Sequence, residues 1–117
     1  MAADIRVKRI YDEADPGDGY RVLVDRMWPR GISRERARLD AWMRELAPSD
    51  ELRRWFGHDP GRFDEFRSRY RDELAAQPAD VKELRKHAQA GPLTVLYAAR
   101  DREHNNAVVL AEVLRRR

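Results

Sequence analysis

The sequence predicts a single small α/β domain, in which a short, mostly parallel sheet of three main strands is flanked by about five helices. Strand-like apolar segments occur at residues 5–11, 21–25 and 93–99. Helix-like stripes of apolar residues fill the long stretch between the second and third of these segments, and another follows the third. The 117 residues fit one ordinary domain, so we assign 1–117 to it, with a basic tail at 115–117.

The three strand segments differ in their patterns. Residues 5–11 alternate apolar and basic side chains, which predicts a strand with one buried face, whereas 21–25 and 93–99 are nearly continuous apolar runs, typical of central strands. Because helices separate the second and third strands, those two should be parallel. The loop between the first two strands has only about eight residues, short for a parallel connection. The residues therefore favour an antiparallel or a non-adjacent first strand.

Helix start signals punctuate the rest of the chain. Ser33 is a good N-cap for a helix whose apolar stripe is Leu39, Trp42, Met43 and Leu46. Later helices are predicted to begin at Ser49, at Asp59-Pro60 and at Pro78, with Gly57 and Gly91 as helix ends. Four aromatic side chains lie on the apolar stripes of their helices, and we expect them to be largely buried: Trp42, Trp55, Phe66 and Tyr70.

Composition excludes several classes of site. The chain has no cysteine, which rules out a disulfide, a thiolate nucleophile and a Cys-bound zinc. The three histidines lack metal-ligand spacing, so we expect no metal and no cofactor. No apolar run approaches the roughly 20 residues that span a bilayer, and Met1 to Asp4 do not resemble a signal peptide. We therefore expect a cytoplasmic protein without a membrane partner.

The basic character of the chain is confined to its C-terminal end. Lys and Arg number 24 against 21 Asp and Glu, and Arg115, Arg116 and Arg117 supply the whole excess. The remaining residues are balanced in charge, so the sequence describes a basic tail rather than a basic domain.

Polar and aromatic side chains follow the two central strands. Asp25, Arg26, Trp28 and Arg30 come directly after the second strand, and residues 97–106 follow the third. Ligands of open α/β sheets bind beyond the carboxyl ends of the parallel strands. We therefore expect a small anionic ligand such as a phosphate, a nucleotide or a carboxylate there. The residues assigned to it are Asp25, Arg26, Trp28, Arg30, Arg100, Asp101 and Asn105, with His58, His104 and Tyr97 as candidates for proton transfer.

Each candidate also has a structural interpretation. Asp25 with Arg26 or Arg30 is equally consistent with an ion pair that fixes the loop. Trp28 is better explained as a core anchor than as a stacking surface, and Asp101 as the N-cap of the last helix. Asn105 and Asn106 are turn or cap residues in the first instance. His58 beside Asp59 suits either an oriented base or a loop residue, and His87 lies among the inward residues of its helix.

Four segments together resemble a known family. They are residues 5–12, the Gly19–Gly31 segment with its Asp-Arg-x-Trp-Pro-Arg-Gly motif, residues 52–60, and Leu96–Asp101 with His104-Asn105. They resemble the YeaO-like family of uncharacterised bacterial proteins, part of a larger domain-of-unknown-function group. The resemblance covers nearly the whole chain and implies a parallel first strand, but no established activity. The wider group carries a Cys…Cys-His-Arg element where Tyr97, Asn105 and Asn106 stand here, which excludes thiol chemistry.

Three functional interpretations follow. The first is an anion-binding site at the strand ends, with or without enzymatic activity, in which Arg26, Arg30 and Arg100 hold the ligand. The second is a nucleic-acid-binding or regulatory accessory domain that uses the basic tail. The third is an interaction module for another protein. The arginines at the strand ends favour the first because ligands of such sheets bind at that edge.

Overall fold

Four parallel strands form the sheet, in the order β1-β4-β2-β3, in a computed structural model that describes residues 4–116. The strands are β1 (Ile5–Arg9), β2 (Tyr20–Leu23), β3 (Ala41–Trp42) and β4 (Leu93–Tyr97). This confirms the predicted α/β class and adds one short strand, β3. Residues 1–3 and Arg117 lie outside the described residues. Two expectations fall on them in part: that Met1 to Asp4 do not begin a signal peptide, and that 115–117 form a basic tail.

Five α-helices accompany the sheet within residues 4–116, in agreement with the about five that the sequence predicts. They are α1 (Arg34–Ala37), α2 (Asp50–Phe56), α3 (Phe63–Ala75), α4 (Pro78–Ala90) and α5 (Asn106–Arg115). Ser33 and Ser49 cap α1 and α2 as predicted, their hydroxyls accepting from the N–H groups of Arg36 and Leu52 at 3.0 and 3.1 Å. Single 3₁₀ turns at Pro16–Asp18, Arg44–Leu46 and Pro60–Arg62 complete the regular structure.

The first strand lies on the far side of β4 from β2. It pairs in parallel with β4, so the antiparallel alternative is wrong and the non-adjacent one is correct. The parallel direction agrees with the family resemblance. The connection of residues 10–19 can reach about 33 Å when extended, which is enough to return along a five-residue strand. A short loop therefore suffices here without a crossover helix.

The sheet separates two apolar cores. Because successive strand residues face opposite sides, Val22 and Val95 join one core while Leu23 and Leu96 join the other. The larger core packs α2 to α5 on the first face. The second face is covered by the segment that follows β2, and its smaller core includes Ile10, Ile32, Ala37, Trp28 and Trp42.

The single helix predicted from Ser33 to Leu46 is wrong. The helix ends after one turn, where Arg38 adopts a left-handed φ of 47°, and the chain then pairs with β2 as β3. The N–H of Asp40 donates to the Arg21 carbonyl at 2.8 Å. Trp42 packs in the smaller core and Met43 against the larger one. Sheet pairing therefore overrides the helical spacing and divides the apolar stripe between two faces.

A buried ion-pair network lies under the connection between β1 and β2. The Asp18 carboxylate is 2% exposed and accepts from Lys8 Nζ at 3.0 Å and from the buried Arg21 guanidinium. Burial opposes ionisation of Asp18, but hydrogen bonds from the Asp15 N–H, Lys8 and Arg21 outweigh it and lower the pKa of this carboxyl. The network fixes the connection against the sheet.

Candidate ligand-binding site

A cleft of about 420 Å³ opens at the carboxyl edge of the sheet, where the chain leaves β2 and β4. This is the edge at which the sequence predicts a site. Its volume falls within the roughly 300–1,000 Å³ of small-molecule sites. The walls are mainly apolar and include Ala47, Pro48, Phe56, Phe66, Ala98 and Ala99.

Asp25 ties the two central strand ends together inside the cleft. Its Oδ2 atom accepts from the N–H of Ala98 at 2.8 Å, and its Oδ1 from Asn106 Nδ2 at 3.2 Å. The Asn106 amide also donates to the Val24 carbonyl at 2.8 Å. The Asp25 carbonyl accepts from Trp42 Nε1 at 2.7 Å. One residue thus joins β2, β3, the end of β4 and the first residue of α5.

The Asp25 carboxylate lies in an environment that disfavours its charge. Burial raises the pKa of this carboxyl, and the hydrogen bonds from Ala98 and Asn106 and the nearby charges of Arg53 and His58 offset the rise only in part. Among residues 4–116, Asp25 forms no ion pair, so the predicted structural pair with Arg26 or Arg30 is not formed. A carboxylate held in this way is a common feature of functional sites.

Three arginines and a histidine line the cleft together with these apolar side chains. They are Arg26, Arg30, Arg53 and His58. Arg53 Nη2 donates to Asp50 Oδ1 at 3.1 Å, and Arg26 Nε lies 3.8 Å from the same oxygen, a contact too long for a hydrogen bond. Arg26 Nε is buried and has no hydrogen-bond partner among the described residues. Arg30 is exposed, and its carbonyl accepts from the Tyr11 hydroxyl at 2.8 Å.

Trp28 is a packing residue whose side chain also lines the cleft. Its Nε1 donates to the Ile32 carbonyl at 2.7 Å, and its ring meets Trp42 edge-on at a centroid distance of 5.4 Å. The Arg34 guanidinium stacks on it at 4.7 Å. Trp28 therefore serves as a core anchor, as the structural interpretation expects, and also contributes to the lining of the cleft.

His58 lies at the cleft, but its neighbour Asp59 does not orient it. His58 is exposed in a left-handed conformation, with φ of 56°, directly after Gly57 ends α2. The Asp59 carboxylate accepts from the Gly61 N–H at 2.9 Å instead, capping the next 3₁₀ turn. The geometry of a carboxylate-oriented base is therefore not formed at this pair.

The other proton-transfer candidates lie apart from the lining residues. His104 Nδ1 is 2.9 Å from Asp101 Oδ2, and its ring meets Phe63 edge-on at 5.1 Å. Tyr97 is 2% exposed in the larger core, and burial raises the pKa of its hydroxyl. Neither side chain lines the cleft, and Arg100 is exposed and also outside it.

Asn105, rather than Asp101, caps the last helix. Asn105 Oδ1 accepts from the Val108 N–H at 3.0 Å, whereas Asp101 Oδ1 accepts from the N–H groups of Glu103 and His104 in the preceding turn. The cap prediction for Asp101 is therefore wrong, and the one for Asn105 is confirmed. Asn105 is 2% exposed and lines the cleft, so a single residue both starts α5 and shapes the site.

Arg53 and Asn106 line the cleft but are not among the site residues predicted from the sequence. From the sequence, Arg53 is predicted only to be part of a helix, and Asn106 only to be a turn or cap residue. Each lies at an element that the fold brings back over the strand ends, α2 for Arg53 and the start of α5 for Asn106. The signal in the sequence is the position of Asn106 in the segment 97–106 that follows the third predicted strand, whereas no local pattern marks Arg53.

The described residues 4–116 contain neither a cluster of metal-binding side chains nor a helix that could span a membrane. Within residues 4–116 no three His, Cys, Asp or Glu side chains are grouped to hold a metal ion. None of the helices found there combines the length and apolarity needed to cross a bilayer.

Comparisons with known proteins agree with the resemblance read from the motifs. A family model described as "Inactive DUF488-N3 subclade" matches residues 4–117. An uncharacterized protein of Mycobacterium tuberculosis (strain H37Rv) is 47% identical over 110 residues, covering 94% of this chain and 92% of that protein. The uncharacterized protein YeaO of Escherichia coli K12 is 46% identical over 112 residues, covering 96% and 97%. No solved structure gives a significant match. The chain therefore belongs to the YeaO-like DUF488 family.

Proposed function

We propose that the cleft binds a small organic anion, such as a phosphate ester or a carboxylate, and holds it without chemical turnover. One observation carries the proposal: an apolar cleft at the carboxyl edge of a parallel sheet is lined by three arginines and a histidine. Guanidinium groups bind oxyanions in bidentate fashion and remain charged when partly desolvated. The apolar walls would accommodate the body of the ligand.

A hydrogen-bond donor on Arg26 that is unpaired within the described residues supports the presence of a ligand near this side chain. Its Nε is a buried donor with no partner among residues 4–116, and its nearest carboxylate, Asp50, is a rim residue more than half of whose side chain is exposed. A buried donor left without a partner costs roughly 1–3 kcal/mol. The Arg26 side chain is 38% exposed, so an oxyanion that binds its guanidinium and shifts the side chain to expose Nε would offset that cost.

Binding without turnover is favoured over catalysis by the arrangement of the candidate groups. His104 and Tyr97 lie outside the cleft lining, and His58 has no carboxylate partner to orient it. General acid–base catalysis needs such a group within hydrogen-bond reach of the substrate. The matching family model also carries the word "inactive" in its description.

Thermal unfolding with added ligand tests the proposal. Inorganic phosphate and adenosine 5′-monophosphate should raise the melting temperature in a concentration-dependent way, because a ligand that binds only the folded state stabilises it. Arg26→Ala and Arg53→Ala should each reduce the shift, and Arg36→Ala, which removes an exposed arginine outside the cleft, should not. No shift with any anion, or an equal loss in Arg36→Ala, would contradict the proposal.

Arg100→Ala separates two versions of this site. The sequence places Arg100 with Arg26 and Arg30, whereas the cleft is lined by Arg53 in its place. If the cleft is the site, Arg100→Ala keeps the ligand-induced shift that Arg53→Ala loses. The reverse result would favour the set of residues predicted from the sequence.

The nucleic-acid alternative rests on the basic tail, and one tail residue has a structural contact. Arg115 Nη2 donates to the Ile5 carbonyl at 2.7 Å, which joins the end of α5 to β1. With a charge-balanced body, deletion of 115–117 should remove most DNA affinity. Sequence-specific DNA binding by the truncated protein would favour this alternative over the ligand cleft.

A further inference from the structure

We infer that the ligand of the cleft is a nucleotide whose base carries an exocyclic amino group, with the base beside Asp25 and the phosphate at the arginines. This inference rests on the proposed anion-binding function and names its ligand class. It is drawn from three kinds of side chain that line the cleft: a buried carboxylate, aromatic rings that belong to both cores, and arginines.

The interior carboxylate calls for a hydrogen-bond donor on the ligand. Asp25 is the one acidic residue among the described residues that line the cleft. Each of its oxygens accepts one hydrogen bond, from Ala98 N–H and from Asn106 Nδ2. A carboxylate has about four acceptor positions, so it retains capacity for further donors. The ionised Asp25 carboxylate would repel a purely anionic ligand, whereas an amino group would donate to its remaining acceptor positions.

The aromatic residues that line the cleft favour a ligand with a planar ring. Phe56 and Phe66 stack on each other at a centroid distance of 4.3 Å and belong to the larger core, on one face of the sheet. Trp28 and Tyr11 reach the cleft from the side of the smaller core. Aromatic side chains from both cores thus line one cleft and suit a heterocycle, because every base presents a π face for stacking.

The arginines that line the cleft favour a ligand that also carries an anionic group. Arg26, Arg30 and Arg53 line the same cleft as Asp25, yet Asp25 pairs with none of them. A ligand that satisfies both the carboxylate and the guanidinium groups carries a hydrogen-bond donor as well as negative charge. An amino-bearing base joined to a phosphate through a sugar has this arrangement.

Matched nucleotides test the inference on the unmodified protein. Calorimetric titration would compare adenosine 5′-monophosphate with purine riboside 5′-monophosphate, and cytidine 5′-monophosphate with its 2-pyrimidinone analogue, each pair differing by one amino group. A hydrogen bond to a charged acceptor corresponds to about 10- to 100-fold in affinity, and we expect the amino-bearing member of at least one pair to bind tighter by that factor. Equal affinity within both pairs overturns the inference.

The controls separate this inference from the proposed function. Ribose 5-phosphate and inorganic phosphate lack a base, so binding of these with no gain from either base keeps the anion site and overturns the nucleotide assignment. Absence of binding by every phosphate compound overturns both. Asp25→Asn should abolish the preference for the amino group, whereas Asp64→Asn, which neutralises an exposed carboxylate outside the cleft, should retain it.

Discussion

The Oδ2 atom of Asp25 accepts a hydrogen bond of 2.8 Å from the backbone N–H of Ala98. Asp25 follows β2 and Ala98 follows β4, so this contact joins the two central strands just beyond their last paired residues. It also holds a carboxylate in an apolar cleft where its charge is disfavoured. The same residue therefore organises the strand ends and supplies the polar centre of the candidate site.

Asp25→Asn should change the pH dependence of stability. The folded-state pKa of Asp25 is raised, so the folded protein binds this proton more tightly than the unfolded chain does. The wild type should therefore lose stability relative to Asp25→Asn as pH rises from about 4, the ordinary Asp value, through the raised pKa. Chemical denaturation across pH 4–8 measures the difference. A difference that is constant with pH would show that burial does not perturb this carboxyl.

Asp18→Asn should have the opposite pH signature and a large cost. The Asp18 pKa is lowered, so its stabilisation is present above the ordinary Asp pKa and is lost as pH falls through the folded value. Removing one partner of a buried pair leaves the Arg21 charge poorly compensated and costs about 3–5 kcal/mol. Denaturation at pH 7 measures the loss. The exposed Asp64→Asn is the matched control, and a loss no larger than in that variant would contradict a structural network.

Truncation of Tyr70 should cost more than truncation of Trp55. Tyr70 is fully buried, and its hydroxyl donates to the Leu46 carbonyl, so Tyr70→Ala should cost about 3–5 kcal/mol. The Trp55 ring is only half-buried between core and solvent and is covered by Arg62 and Arg69, so Trp55→Ala should cost about 1–2 kcal/mol. Equal losses in urea denaturation would show that the assigned faces of α2 and α3 are wrong.

His58→Ala should leave the fold intact and weaken ligand binding. His58 is exposed, so its truncation should change stability by less than about 0.5 kcal/mol. Because the side chain lines the cleft, the ligand-induced shift in melting temperature should decrease. His87→Ala is an informative comparison, since His87 stacks on Tyr20 at 3.7 Å away from the cleft. A ligand shift preserved in His58→Ala would place the bound anion elsewhere on the rim.

Local signals explain most of the fold that is predictable from the sequence. Ser33, Ser49 and Pro78 act within one helical turn, and the apolar runs that become β2 and β4 need only their own composition. The helix predicted through Trp42 fails for the converse reason. Its spacing of apolar residues fits a helix, but the backbone pairs with β2, a partner about twenty residues away that no local pattern identifies.

The residues of the candidate site likewise fall into those that local sequence predicts and those that depend on long-range packing. Asp25, Arg26, Trp28 and Arg30 follow a strand directly, so the rule for parallel sheets predicts their edge. Arg53 belongs to a helix whose packing on the sheet is a long-range property. Tyr97 packs in the larger core and Arg100 is exposed, and neither lines the cleft. Strand ends thus predict where a site lies, and side-chain direction decides which residues reach it.

A crystal structure grown with saturating adenosine 5′-monophosphate tests whether the cleft binds a nucleotide between Asp25 and the arginines. We expect electron density in the cleft, with the phosphate within hydrogen-bond distance of the Arg26 or Arg53 guanidinium and the base amino group beside the Asp25 carboxylate. An empty cleft at saturating ligand, or a nucleotide bound elsewhere on the surface, would contradict it.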